Sequence, residues 1–190
     1  MLQTLARLIL KALGWQLIEP ADRPARMLIL AYPHTSNWDF PVGLLAKWGI
    51  GLQANFWAKD SLFAVPVFGT WLRWLGGVAV NRRAATGLVG QTVAQLREAQ
   101  ARDQSFWLAV APEGTRAYVD GWKSGAWQVA VQAGVPVGLA YFDYATRTVG
   151  FTDFVQVSGD AQADFALFAE VLAGRRGKRA ELASPIRLKG

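Results

Sequence analysis

Short apolar runs alternate along the chain with segments whose apolar residues recur at helical spacing. Runs of about four to eight apolar residues bounded by turn formers are typical of buried strands, and recurrence every three to four positions is typical of amphipathic helices. The alternation predicts an α/β fold with a mostly parallel central sheet flanked by helices. Strands are predicted at residues 27–32, 53–58, 77–81, 106–110 and 135–142, with one or two edge strands in 148–157. Helices are predicted at residues 1–18, 37–48, 86–101, 126–133 and 160–173.

The N-terminal segment, residues 1–18, has the pattern of an amphipathic helix. Gln3, Arg7 and Lys11 form a narrow polar stripe within a wide apolar surface. Such a helix can lie in a membrane interface, or it can dock on the domain's own core. The narrowness of the cationic stripe favours the membrane.

Two features of the sequence divide the chain into three parts: prolines after the N-terminal helix and a basic segment at the C-terminus. Pro20 and Pro24 end the N-terminal helix. The C-terminal segment carries six basic residues and one acid, a composition that predicts a solvated or lipid-facing tail. We therefore expect an N-terminal helix with its connector (1–26), a single α/β domain (27–174) and a basic tail (175–190).

Composition and charge narrow the class of partner. The chain has 20 basic and 14 acidic residues, a net charge of +6, which suggests a phosphorylated ligand, an acidic membrane surface or nucleic acid. Only 18% of residues are charged and nine are tryptophan, a residue that favours membrane–water interfaces. Because nucleic-acid binding usually needs a dense basic surface, we expect a membrane surface and no nucleic acid. No run of about 20 apolar residues predicts a spanning helix.

Three predicted strands end in polar clusters, and the carboxyl ends of parallel strands meet at one edge of a sheet. A neutral imidazole can accept a proton near pH 7, and a carboxylate can orient it. Arginine suits phosphate because its guanidinium donates two parallel hydrogen bonds. Each cluster alone is equally compatible with a capped strand end, but their convergence favours a functional site. The clusters are His34 with Asp39, Arg82 with Arg83, and Glu113 with Arg116.

Other candidate chemistry is weaker. The chain lacks cysteine and has a single histidine, which excludes thiol nucleophiles and argues against a zinc site. Residues 49–54 have the lettering of a dinucleotide-binding turn but precede a predicted strand instead of following one. In residues 121–124, Trp122 separates the glycine from the lysine and serine of a P-loop. Ser124 lies outside a G-x-S-x-G turn, so a serine hydrolase is only a weak alternative.

Four segments, in the same order along the chain, resemble the motifs of the glycerolipid acyltransferases related to lysophosphatidic acid acyltransferase. The match runs from about residue 27 to residue 141. Pro33 and Ala79 depart from the residues common at those places in the family. The four segments are His34-x-x-x-x-Asp39, Gly-Gly-Val-Ala-Val-Asn-Arg at 76–82, Pro-Glu-Gly-Thr-Arg at 112–116 and Val-Pro-Val at 135–137.

The resemblance implies acyl transfer from a thioester, acyl-CoA or acyl carrier protein, to the hydroxyl of a lysophospholipid such as lysophosphatidic acid. It implies that His34 is the general base, that Asp39 orients it, and that no metal or other cofactor takes part. It also implies a peripheral or monotopic protein on the cytoplasmic face of a membrane. The residues implied in acceptor binding are Arg82, Glu113, Gly114, Thr115 and Arg116.

Two further hypotheses fit the same residues. One is acyl transfer to a lipid acceptor without a phosphate. The other is a non-catalytic membrane-surface protein, since the tryptophans, the N-terminal helix and the basic tail would serve it equally well. In either case the apolar segment 61–75 is expected to contact lipid or to border a groove for an acyl chain.

Overall fold

A computed structural model describes residues 1–20, 22–80 and 87–189 of the chain. Its strands form a seven-stranded sheet in the order β1-β7-β6-β2-β5-β3-β4. Neighbouring strands run parallel except β6 and β7, which are antiparallel. The predicted α/β fold with a mostly parallel sheet is confirmed. The strands are β1 (Gln16–Ile18), β2 (Arg26–Tyr32), β3 (Asn55–Lys59), β4 (Gly77–Val80), β5 (Phe106–Val110), β6 (Val137–Asp143) and β7 (Thr148–Val155).

Helices cover both faces of this sheet. On one face, α1 and α2 pack against each other, and α4 lies beside α2 through contact between Phe40 and Trp71. On the other face, α5, α6 and α7 bury the largest apolar cluster. The helices are α1 (Leu2–Ala12), α2 (Asp39–Ile50), α3 (Asp60–Phe63), α4 (Phe68–Trp74), α5 (Leu88–Ala101), α6 (Gly125–Ala133) and α7 (Ala161–Val171).

Strand β2 lies at the centre of the sheet and is buried on both faces. Leu28 and Leu30 join the cluster under α5, α6 and α7, whereas Met27 and Ile29 pack on the opposite face. A parallel strand covered on both faces needs apolar side chains at consecutive positions. This explains why the sequence of β2 is a continuous apolar run, and it places the end of β2 in the middle of one edge of the sheet.

The N-terminal helix is shorter than predicted. Helix α1 ends at Ala12, and Gly14 adopts a φ of +77°, a conformation that favours glycine at helix ends. Residues 16–18 then form β1, which pairs in parallel with β7. The prediction of a helix to residue 18 is therefore wrong, because the partner of β1 lies far along the chain and leaves no local signal. For the same reason β7 is not an edge strand, since β1 covers its outer side.

The basic tail is an ordered segment packed on the domain, whereas its composition favoured a tail without structure. Ser184 is 1% exposed, and its hydroxyl accepts a hydrogen bond from the backbone N–H of Val119. The backbone N–H of Trp122 donates to the carbonyl of Arg187, and the backbone N–H of Lys189 donates to the carbonyl of Trp122. The prediction is wrong because it rested on charge alone, whereas backbone hydrogen bonds hold this segment while its charged side chains stay near the surface.

Candidate active site

Three neighbouring strands bring the chemistry-bearing residues together. Strand β2 lies between β5 and β6, and all three run parallel. The segment after β2 contains His34 and Asp39, the segment after β5 contains Glu113, and Tyr144 follows β6. Because their carboxyl ends lie side by side, residues far apart in sequence meet at this edge. The predicted convergence of the first and third clusters is therefore present in the structure.

His34 and Asp39 are in contact. Nδ1 of His34 lies 3.2 Å from Oδ2 of Asp39. The His34 side chain is 19% exposed, whereas the Asp39 side chain is 1% exposed. A carboxylate bound to Nδ1 fixes the imidazole's orientation and leaves Nε2 as the nitrogen that can exchange a proton with another molecule. The pair therefore has the geometry of a base and its orienting partner.

Three hydrogen-bond donors surround the buried carboxylate of Asp39. The backbone N–H groups of Thr35 and Ser36 donate to Oδ2, each at 2.9 Å. The phenol of Tyr144 donates to Oδ1 at 2.8 Å, and Nδ1 of His34 lies 3.2 Å from Oδ2. A buried charge needs such partners, because an unpaired one is costly. Sequence reasoning missed Tyr144, since nothing in its local sequence marks it as a partner of Asp39.

Glu113 supports His34 from the other side. Its Oε1 accepts a hydrogen bond from the backbone N–H of His34 at 2.9 Å, and the residue is 3% exposed. Burial raises the pKa of the Glu113 carboxyl to about 7, although hydrogen bonds from backbone N–H groups oppose the rise. The structure thus places Glu113 beneath the segment that carries His34. Its predicted part in acceptor binding stays a prediction.

The turn after β5 exposes Arg116. Gly114 has a φ of +68°, and a Cβ at this position would lie 3.0 Å from Cε of Lys123. Glycine therefore allows both the turn and the close approach of the lysine. The hydroxyl of Thr115 accepts a hydrogen bond from the backbone N–H of Ala117 at 3.3 Å. These local contacts leave the Arg116 side chain exposed at the sheet edge.

A cavity of about 200 Å³ is lined in part by the four residues that follow His34 in the chain. The segment after β2 forms one wall, and an arginine from each of two other segments completes it. Because two of its lining residues are arginines, the cavity is suited to an anionic group. The residues that line it are Thr35, Ser36, Asn37, Trp38, Arg116 and Arg179.

The tail forms the second arginine-bearing wall of this cavity. The backbone N–H of Arg179 donates to the hydroxyl of Thr35 at 3.2 Å. A Cβ at Gly177 would lie 2.5 Å from Thr35 Oγ1, so only glycine fits there without a shift. Nζ of Lys178 lies 4.8 Å from the ring centroid of Trp38. Sequence reasoning missed Arg179, because a tail expected to be solvated offered no reason to place it at the site.

Arg82 and Arg83 lie outside the described residues. The second described range ends before them at Val80, which is also the last residue of β4. Strand β4 is third from β2 in the sheet, or roughly 14 Å away at the usual spacing between strands. The predicted role of Arg82 in acceptor binding therefore stays a prediction. Across the three described ranges, no cluster of three or more His, Cys, Asp or Glu residues could hold a metal ion.

Exposed apolar side chains are concentrated on α1 and on residues 60–74, the α3–α4 segment, and together they are called the apolar surface. Helix α1 is oriented with its polar stripe partly inward, since Arg7 donates from Nε to the Gly49 carbonyl at 2.7 Å and pairs with Glu19. Among the described helices, none is long and apolar enough to cross a membrane. The large apolar side chains left exposed there are Leu2, Leu5, Leu8 and Ile9 in α1, Leu13 just after it, and Leu62, Val65, Val67, Phe68, Trp71 and Trp74 in the α3–α4 segment.

Comparison with known proteins agrees with this architecture. The sequence model of the family described as Acyltransferase matches residues 16–138. The fold is similar to the crystal structure of the 1-acyl-sn-glycerophosphate (LPA) acyltransferase PlsC from Thermotoga maritima, with a TM-score of 0.58 and 19% sequence identity. That similarity covers 93% of this chain and 80% of the other. No curated protein matches the sequence at a significant level.

Proposed function

The chain belongs to the acyltransferase family, and on this premise we propose that it transfers a fatty acyl group from a thioester donor to the hydroxyl of a lysophospholipid. We propose lysophosphatidic acid as the acceptor, and acyl-CoA or acyl carrier protein as the donor. The observation that carries the proposal is the contact of His34 Nδ1 with Asp39 Oδ2. The residues between them in the chain, 35–38, line a cavity that two arginines also line.

In the proposed reaction, Nε2 of His34 takes the proton of the acceptor hydroxyl while the hydroxyl oxygen attacks the thioester carbonyl. The bond from carbon to oxygen forms, and the bond from carbon to sulfur then breaks. The proton passes from His34 to the leaving thiolate, so the products are an ester and a free thiol. Asp39 stabilises the imidazolium that forms between these steps. A positioned base of this kind typically contributes about 10²–10⁴-fold to the rate.

The acceptor's phosphate would lie in the cavity lined by residues 35–38 and the two arginines. Arg116 and Arg179 approach it from different segments of the chain, and guanidinium groups bind phosphate through paired hydrogen bonds. A phosphate held there would place a hydroxyl of the same small molecule within reach of the imidazole. A lipid acceptor without phosphate would leave these two cations unpaired, which favours the phosphorylated acceptor.

The apolar surface supports a position at a membrane, which we propose to be the cytoplasmic face. Leu2, Leu5 and Leu8 are each more than half exposed, although an amphipathic helix docked on a core would bury this side. A lipid bilayer would cover them at a gain of about 25 cal/mol for each Å² removed from water. The exposed α3–α4 segment would then contact lipid or border the acyl chain, as predicted for residues 61–75.

Thiol release from long-chain acyl-CoA by the purified protein in mild detergent tests the reaction. Release that depends on lysophosphatidic acid is expected for the wild type, and we expect His34→Ala to reduce it by at least about 100-fold. Release without acceptor dependence would indicate a thioesterase. Absence of release with both CoA and carrier-protein donors, from folded protein, would refute the proposed reaction.

A panel of acceptors with and without a phosphate monoester tests whether the acceptor's phosphate binds in the cavity. Arg116→Ala is expected to raise the KM for lysophosphatidic acid about 10- to 100-fold, because a hydrogen bond to a charged group is worth about 1.5–3 kcal/mol. Arg102→Ala is the matched control, since Arg102 is exposed beside Glu98 at the end of α5. An equal loss with lysolipids that lack a phosphate monoester would instead favour the non-phosphate acceptor.

A further inference from the structure

The two oxygens of the Asp39 carboxylate have different partners. Oδ2 receives hydrogen bonds from two backbone N–H groups and faces Nδ1 of His34. The phenol of Tyr144 donates to Oδ1. Both oxygens of the carboxylate are therefore held in place. The position of Oδ1 depends on the side chain of Tyr144, a residue that comes directly after β6.

Tyr144 is itself fixed by three parts of the fold. It follows β6, whose neighbour β2 leads to His34. Its backbone N–H donates to the carbonyl of Arg176 in the tail at 2.8 Å. Its ring meets the ring of Trp15 edge to face, with centroids 4.9 Å apart. These contacts hold the phenol in one place, so its hydrogen bond to Asp39 is preorganised.

We propose that Tyr144 is a positioning residue for the reaction, whose phenol holds the Asp39 carboxylate in the orientation that binds Nδ1 of His34. The proposal rests on the proposed function, since it assigns Tyr144 a part in the proton transfer by His34. In this role Tyr144 acts through Asp39, to which its phenol donates.

The surroundings of the Tyr144 phenol keep it protonated, so that it can always donate a hydrogen bond to Asp39. Burial, the hydrogen bond to Asp39 and the charge of that carboxylate raise the pKa of Tyr144. The phenol thus stays protonated at neutral pH and donates to Asp39 without competing for the proton of His34. The other ionisable groups near Asp39 are His34 itself and Glu113, which feels the charge of Asp39.

The conservative variant Tyr144→Phe removes the hydroxyl and keeps the ring contact with Trp15. We expect kcat to fall about 10- to 100-fold, the range that one hydrogen bond to a charged group spans. The KM for either substrate should change by less than about threefold, because the proposed role of Tyr144 is to orient Asp39 and not to bind a substrate. Tyr118→Phe, which removes an exposed phenol elsewhere on the surface, is the matched control and should keep wild-type kcat.

Nuclear magnetic resonance supplies a readout that does not depend on turnover. His34 is the only histidine in the chain, so the imidazole signals of the protein belong to it alone. In the wild type, the Nδ1 proton should be protected from exchange with water by its bond to Asp39. In Tyr144→Phe we expect at least tenfold faster exchange of this proton, with thermal unfolding little changed.

The outcomes separate this inference from the proposed reaction. Reduced kcat with unchanged KM and faster exchange at Nδ1 would support the positioning role. Wild-type kcat and exchange in Tyr144→Phe would overturn it, even if the wild type transfers acyl groups as proposed. A wild type that transfers no acyl group would refute the proposed reaction, and the exchange measurement would still decide whether Tyr144 orders the pair.

Discussion

Glu113 allows a quantitative prediction, because a buried carboxyl with a raised pKa makes stability depend on pH. Its pKa rises from an ordinary 4.5 to about 7 in the folded protein. Between these two values the folded state binds a proton that the unfolded state has lost. Stability therefore falls as the pH rises from about 4.5 to 7, and the destabilisation is complete above 7.

The size of the effect follows from the pKa difference. At 1.36 kcal/mol for each pKa unit, ionised Glu113 destabilises the fold by about 3 kcal/mol above pH 7. Part of this is already present at pH 5, so the change between pH 5 and pH 8 is about 2.5 kcal/mol. Glu113→Gln retains an oxygen that can accept from His34 N–H but cannot ionise, so it should lack this pH dependence.

Urea unfolding at pH 5, 6, 7 and 8 measures the difference. The free energy of unfolding of the wild type should fall by about 2.5 kcal/mol relative to Glu113→Gln across this range. Comparing slopes removes any constant cost of burying the amide, and it cancels the titration of the other groups. Glu170→Gln, an exposed position on α7, is the control and should follow the wild type. Parallel curves for the wild type and Glu113→Gln would refute the reasoning.

Three further variants test other parts of the structure. Asp39→Asn removes the charge that orients and stabilises the imidazole, and kcat in the thiol-release assay should fall about 10²–10⁴-fold. Arg179→Ala should raise the KM for lysophosphatidic acid about tenfold and leave the KM of acceptors without phosphate unchanged. The double variant Leu5→Gln and Leu8→Gln should reduce cosedimentation with lipid vesicles at least tenfold without lowering the temperature of unfolding, because both side chains are exposed.

Each of these variants has a control and a contrary result. If Asp39→Asn kept the wild-type kcat, the proposed role of the Asp39 carboxylate in the reaction would be contradicted. Arg176→Ala, in the same tail, is the control for Arg179, and equal effects of the two would point to general charge loss and not to a phosphate contact. Leu167→Gln, exposed on α7, is the control for α1. Unchanged vesicle binding in the double variant would contradict the membrane contact of α1.

Local sequence patterns were sufficient for most of the elements. Strand β5 lies at the predicted residues 106–110, and β2 begins one residue before its predicted start. Asp160 caps α7 as predicted, accepting hydrogen bonds from the backbone N–H groups of Gln162 and Ala163. These features depend on interactions within a few residues of one another, or on burial that shows directly as an apolar run. Thr86, the predicted cap of α5, lies outside the described residues.

Elements with distant partners could not be predicted in this way. Three residues of β1 carry too little pattern to indicate a strand, and they form one only because β7 offers an edge to pair with. The tail is ordered by main-chain bonds to Trp122 and by the burial of Ser184. Neither contact is visible in the charge pattern that dominates the tail's composition.

For the site, the sequence by itself determined the contact between His34 and Asp39, because the two residues lie five positions apart and one turn of chain joins them. The tertiary structure alone decided what surrounds that pair. Tyr144 reaches Asp39 only because β6 lies beside β2, and Glu113 reaches His34 only because β5 lies on the other side. Arg179 meets Thr35 because the tail folds back over the same edge. The order of strands in a sheet is a property of the whole packed chain, and no local pattern in the sequence carries it.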